Sequence, residues 1–199
     1  MVPRIEKCYA LMDEYRMLDN IRQHSVMVAR VAELIASGLV KAGMDIALDR
    51  IIAGALLHDI GKTICLEQGG DHAQVGKEIC LQRKLHEVAD IVGEHVRLRD
   101  FQPQGTISEK EIVYYADKRV NHSAVVTLDE RLHYILDRYG GNNSEICRRI
   151  RANFVQCKRV EEKLFARLDY FPTDIAAILD GPRPLISHPP NGYNHGGRY

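Results

Sequence analysis

The run Leu56-Leu57-His58-Asp59-Ile60-Gly61-Lys62 sets an imidazole and a carboxylate side by side at the end of an otherwise apolar stretch. Burying such a pair costs free energy unless something compensates. A divalent ion does so directly, because a neutral imidazole nitrogen and a carboxylate oxygen are both good ligands for first-row metals. Adjacent helical residues point about 100° apart, so the pair reaches one ion only from its rim and other elements must supply further ligands. His24 lies four residues before Val28 and seven before Val31, on the stripe that a helix would bury. Asp117 follows Val113 by four and precedes Val120 by three, which also turns it inward, where an unpaired carboxylate is expensive. Each residue alone has an ordinary use, since a histidine on an apolar face hydrogen-bonds within a core and an aspartate near a helix end caps it. As a set, His24, His58, Asp59 and Asp117 form a candidate metal-ligand shell. Lys62, three residues after Asp59, can lean over the same helix end to meet a phosphate as a point charge, or simply complement the helix dipole.

These side chains need helices to position them. Apolar residues recur at three and four positions along nearly the whole chain, and no strict alternation lasts long enough for a convincing sheet. The pattern predicts an all-α fold. Helices are expected at about Ile5 to Met17, at Ile21 to Ala42 with Asp19 or Asn20 as cap, and after Asp45 as far as Gly61, which suits a stop or a close backbone approach. Further helices are expected at His72 to Leu81, His86 to Leu98, after a Ser108/Glu111 capping box, at Leu128 to Tyr139, at Ser144 to Leu168, and briefly after Pro172. Glu67 to Asp71 and Asp100 to Ser108 read as loops. The ordered unit is expected to span residues 1–180, and residues 181–199, rich in Pro and Gly, read as a disordered tail.

The 199 residues are 45% hydrophobic, enough for one ordinary core. Lys plus Arg and Asp plus Glu each total 27, which argues against binding driven by bulk charge to nucleic acid or a membrane surface. No apolar run reaches the roughly 20 residues of a membrane span, and Met1 to Lys7 lacks the apolar core of a signal peptide, so the expected compartment is the cytoplasm. Five widely spaced cysteines, with no C-x-x-C pair, read as reduced and mostly buried thiols.

The ordered set of His24, His58-Asp59 within Leu-Leu-His-Asp-Ile-Gly-Lys, and Asp117 within Tyr-Tyr-Ala-Asp-Lys-Arg resembles the HD-domain superfamily of metal-dependent phosphohydrolases, over roughly Asn20 to Tyr139. The resemblance implies an HD-domain helical bundle, extended here by C-terminal helices over 144–180. It also implies a metal site at these four positions and hydrolysis of a phosphate ester or anhydride by metal-activated water, with Asp59 and Lys62 as catalytic residues. His72 in Asp-His-Ala-Gln and His95 in Gly-Glu-His-Val are similar in order and spacing to the extra histidines of two-metal HD domains, including the binuclear symmetrical diadenosine-tetraphosphate hydrolases. In that mapping Asp59 bridges to a second ion held by His72 and His95; in a one-metal enzyme the same two histidines would face substrate phosphate. The implied cofactor is a pair of divalent ions, with iron, manganese, another first-row metal and magnesium as candidates. The implied substrate is a small phosphorylated molecule, a nucleotide or dinucleoside polyphosphate, and nucleic acid is disfavoured. The alternatives are a one-metal nucleoside monophosphate phosphatase and a regulatory module that binds a nucleotide without turnover. Lys118, Arg119, Arg97 and Arg99 are equally placed to reach substrate. Apolar positions after Ser144, including Ile146, Ile150 and Phe154, suit either core covering or a homodimer contact.

Overall fold

In α2 (Asp19–Lys41), Val28, Val31, Ala32, Ile35, Ala36 and Leu39 recur at three and four positions and bury one continuous stripe. That stripe packs most extensively on α3 (Leu48–Leu57), whose Ile51, Ala55 and Leu56 are fully enclosed. The computed structural model describes residues 1–181, and the expected tail lies, from 182 on, outside the described residues. Around the α2/α3 pair stand α1 (Ile5–Glu14), the adjoining α5 (His72–Gln82) and α6 (His86–Glu94), and α7 (Glu109–Lys118). The C-terminal layer comprises α8 (Leu128–Ile135), α9 (Ser144–Phe165) and α10 (Ile175–Leu179). The all-α expectation holds, and among the described residues no helix is long and apolar enough to cross a membrane.

Five local departures from the sequence expectations matter for the site. The cap of α2 is neither Asp19 nor Asn20: the helix begins at Asp19, and the amide of its capping residue Leu18 donates to Thr63 Oγ1 at 3.3 Å. The third helix stops at Leu57 rather than reaching Gly61, because the Ile60 and Lys62 amides turn back three residues onto the Leu57 and Asp59 carbonyls. A further short helix, α4 (Lys62–Gln68), follows that turn, so Lys62 opens a new helix instead of finishing the old one. Two two-residue strands, β1 (Val120–Asn121) and β2 (Ala124–Val125), pair antiparallel with Val120 opposite Val125. Finally, α8 runs into a π-helical turn at Leu136–Gly140 rather than continuing as α-helix to Tyr139.

Two elements are held in place by their own sequence. The expected capping box at α7 is present: Ser108 Oγ accepts from the Glu111 amide, and the Glu111 carboxylate accepts from the Ser108 amide at 2.9 Å. The buried Tyr114 of α7 donates to the Asn153 carbonyl at 2.8 Å and Tyr115 to Glu161 at 2.5 Å, which fastens α7 to α9. The turn after α3 presses on the start of α5: a Cβ on Gly61 would lie 2.6 Å from the His72 carbonyl oxygen and 2.8 Å from the Gly76 nitrogen, so only glycine fits.

Candidate metal centre

Five helix ends converge. His24 comes from the first turns of α2, His58 and Asp59 from the end of α3, His72 from the first residue of α5, His95 from the C-cap of α6, and Asp117 from the last turn of α7. His72 takes its place because Asp71 caps α5, accepting from the Ala73 and Gln74 amides at 3.0 and 3.3 Å. All six side chains predicted from sequence as metal ligands therefore meet at one site. They form two groups, His24/His58/Asp59 and Asp59/His72/His95, each with its candidate ligand atoms within 4.8 Å of one another. Asp117 Oδ1 joins the first group, 3.0 Å from His24 Nε2 and 3.7 Å from His58 Nε2.

The orientation of the rings is settled by backbone carbonyls, which can only accept. Nδ1 of His58 therefore donates to the Ala55 oxygen at 2.7 Å, Nδ1 of His95 to Val92 at 2.6 Å, and Nδ1 of His24 to His122 at 3.0 Å. In each neutral ring the proton is thus spent on the outer nitrogen, and the Nε2 lone pair points inward. The tight β1–β2 turn, with His122 at φ 53°, presents the carbonyl that orients His24.

The inward atoms then face one another without enough protons. His24 Nε2 lies 3.0 Å from Asp117 Oδ1, and His72 Nε2 lies 3.2 Å from His95 Nε2. Asp59 stands between the groups: Oδ2 is 3.5 Å from His58 Nε2, and Oδ1 is 3.3 Å from His72 Nε2 and 3.6 Å from His95 Nε2. His58 Nε2 and Asp59 Oδ1 are buried with no hydrogen-bond partner. Orphaned buried atoms of this kind are costly in a purely structural cluster and are the donor set a divalent cation uses.

The cluster keeps both carboxylates ionised. Burial pushes the Asp59 carboxyl up, but the close imidazoles, His58 first and then His72 and His95, outweigh it and hold the group well below the carboxylate range. Asp117 is likewise depressed against its burial, mainly by Lys118 and His24. His95 is pushed down to about 4 by burial, which keeps its ring neutral. For His58 burial works downward, yet Asp59 and Asp117 raise the ring above its ordinary value.

Above the cluster opens a cleft of about 460 Å³. Lys62 lines it and pairs with Asp59 Oδ2 at 2.7 Å, reaching across from α4. Of the four cations left unranked by sequence, Lys118 lines the cleft; it binds Asp117 Oδ2 at 3.0 Å and the His95 carbonyl, which ties α7 to α6. Arg119 turns away: it is 3% exposed and bonds to the Tyr115 hydroxyl, the Val126 carbonyl and the Pro172 carbonyl. Arg97 lies in a neighbouring surface groove and Arg99 is exposed. Arg131, not singled out from sequence, lines the cleft and donates to Asn121 Oδ1 at 2.9 Å. Its signal was the spacing Arg131, Ile135, Tyr139, one face of a helix. His86 and His133 are exposed, while His188 and His195 lie outside the described residues.

Comparison with known proteins places this geometry. A family model, the HD domain, matches residues 21–121. The chain is similar to Ribonuclease Y of Oceanobacillus iheyensis, 44% identical over 69 residues covering 35% of this chain and 12% of that protein. It is 40% identical to Ribonuclease Y of Treponema denticola over 101 residues, 49% of this chain and 18% of the relative. With Ribonuclease Y of Thermus thermophilus it shares 39% identity over 79 residues, 38% and 12% respectively. The chain thus aligns with under a fifth of the length of these curated relatives. No solved structure matches the chain significantly. Relatives named as ribonucleases remove the ground for setting nucleic acid aside as a partner, which balanced net charge alone had suggested.

Proposed function

The chain belongs to the HD domain family, and from that premise we propose that it is a metal-dependent phosphohydrolase acting on a nucleotide, with a dinucleoside polyphosphate as the leading substrate. The carrying observation is the pair of ligand groups sharing Asp59, with inward Nε2 lone pairs and two orphaned buried atoms. His24, His58, Asp59 and Asp117 would hold one divalent ion, and His72, His95 and the far oxygen of Asp59 a second. A shell of four imidazoles and two carboxylates suits iron or manganese better than magnesium. The chemistry such ions supply is charge neutralisation on a phosphoryl oxygen and water acidic enough to ionise near neutral pH.

The chain's own residues do the rest. Backbone carbonyls hold three rings in the ligating tautomer, and Lys118 braces Asp117 against the end of α6. Lys62 and Arg131, both facing the cleft, would bind the phosphate chain and orient it over Asp59, with Asp59 and Lys62 nearest the reacting group. Residues 1–180 would act as one unit, because the cleft is walled by both the motif helices and α9. A strand of RNA is the second reading, favoured by the names of the relatives.

Metal content per chain, measured beside chromatographic product analysis (ADP from diadenosine tetraphosphate, nucleoside and phosphate from nucleoside monophosphates, shorter fragments from RNA), tests the proposal. His58→Ala should lose metal and turnover, and His95→Ala should lose one ion of two and most activity. Full metal loading in both variants, or turnover unaffected by either, would sink it. Cleavage of RNA in preference to every small nucleotide would replace the substrate and keep the chemistry.

A further inference from the structure

We propose that the outer wall of the cleft is a nucleobase subsite, with the ring of Tyr139 as its stacking face and Leu66, Val96 and Ile146 as its apolar surround. This deepens the phosphohydrolase reading and rests on it for placing the phosphate end at the histidine and aspartate cluster.

Within one cleft the chemistry is segregated. The floor is Asp59, His72, His95 and Asp117, the flank carries Lys62 and Arg131, and the mouth is apolar. At that mouth Leu66 is 67% exposed, Tyr139 56%, Ile146 39% and Val96 38%. Single exposed apolar residues are ordinary, but four converging on a concave polar site mark a binding surface. They come from four different segments, α4, the end of the α5/α6 pair, the π turn and α9, so no one amphipathic helix accounts for them. A substrate made of phosphate alone, or of a sugar phosphate, would gain nothing from this wall. A nucleotide would bury its base on it while its phosphates reach the floor.

Two features favour a base as occupant over a second copy of the chain. The wall curves into the same cavity as the candidate ligands, and about 460 Å³ suits one small ligand rather than a flat protein contact. Tyr139 is delivered by the π-helical turn Leu136–Gly140, a widened turn of a kind found often at functional sites. Tyrosine stacks every base, so the subsite would distinguish nucleotides from other phosphates without choosing strongly among bases. Tyr139 and Ile146 lie beyond residue 121, where the family match ends, whereas Leu66 and Val96 lie within it.

Calorimetric titration of the manganese-loaded full chain with ADP and with pyrophosphate tests the inference. ADP should bind about tenfold more tightly than pyrophosphate, and Tyr139→Ala should remove about tenfold of ADP affinity while pyrophosphate binding stays level. Tyr139→Phe should restore ADP binding, because the ring and not the hydroxyl is used. Both variants alter an exposed side chain, and an unchanged melting temperature would certify their fold. Hexa-adenylate binding no tighter than ADP would assign the subsite to free nucleotides; tighter binding that is also lost in Tyr139→Ala would assign the same subsite to a strand. Equal affinity for ADP and pyrophosphate, a Tyr139→Ala effect on both alike, or a dimer that dissociates in Tyr139→Ala with ADP affinity intact would overturn it. Failure of the hydrolase reading looks different: the ADP preference would persist in a protein that turns over no nucleotide.

Discussion

Gly61→Ala isolates the contact that couples the two ligand groups. The backbone there, at φ −81° and ψ −7°, is open to any residue, so the substitution tests space alone. The added methyl would sit 2.6 Å from the His72 carbonyl oxygen, against 3.4 Å for ordinary contact, an overlap of about 0.8 Å, and 2.8 Å from the Gly76 nitrogen. Both obstacles are backbone, so α5 must shift as a body and carry His72 away from Asp59. Overpacking of this size costs about 2 kcal/mol, which lowers the melting temperature of a chain of this length by about 4–8 °C. A shift comparable to the overlap should also weaken the Asp59/His72/His95 ion by about 10–100-fold, as loss of a supporting contact does. The group built on His24, His58 and Asp117 does not depend on α5 and should stay loaded. Differential scanning calorimetry and a metal-chelator titration read the two effects. Two tightly bound ions and an unchanged melting temperature in Gly61→Ala would refute the packing argument.

Two other expectations follow from groups outside the cleft. Arg119→Met should cost about 3 kcal/mol by stranding the Val126 and Pro172 carbonyls and removing the cation beside Glu161, with metal content intact; lost metal with stability unchanged would place Arg119 in the site after all. Burial pushes the thiols of Cys8, Cys80 and Cys157 up to about 12. Both states keep these protons below about pH 8.5, the ordinary thiol value, whereas above it the unfolded chain ionises first. Stability should therefore fall as pH rises from about 9 toward 12, and Cys80→Ala should flatten the decline of the urea midpoint between pH 8 and 10.5. A decline equally steep in Cys80→Ala would contradict this.

The positions of His24 and Asp117 were legible because helical spacing relative to Val28, Val31 and Val113 says which way a side chain points; the expected spacing to Val120 did not apply, since α7 ends at Lys118 and Val120 falls in β1. His58 and Asp59 were legible as neighbours, but the turn that follows them was not. Its short bonds from Ile60 and Lys62 depend on Gly61 pressing against α5, a contact with a segment more than ten residues on. The strands Val120–Asn121 and Ala124–Val125 are too short for any alternation to show, yet their turn supplies the carbonyl that orients His24. Arg119 and Lys118 looked equivalent as adjacent cations. One is buried among carbonyls and the other braces Asp117, because neighbours on a helix end face different elements.

That difference divides the chain at a definite place. Every proposed ligand, His24 through Asp117, falls inside the matched residues 21–121, and Lys62 does too. Of the other residues that line the cleft, Leu66, Val96 and Lys118 also fall inside, and Arg131, Tyr139, Ile146 and Asn153 fall outside. Metal ligands fix the reaction class but neither read a base nor count phosphates, so identity over a third to a half of the chain speaks for hydrolysis far more than for RNA. The later segment, where α8, the π turn and α9 close one side of the cleft, supplies the wall opposite Leu66 and Val96 in the proposed base subsite. An RNA strand would need an open track of cations leading away from the metals. The neighbouring groove offers Arg97, Arg148 and Arg149, of which the last two are paired with Glu145, at 2.8 and 2.7 Å. The cations left facing the cleft, Lys62, Lys118 and Arg131, lie near its floor and flank, a distribution that fits a short phosphate chain ending in a base.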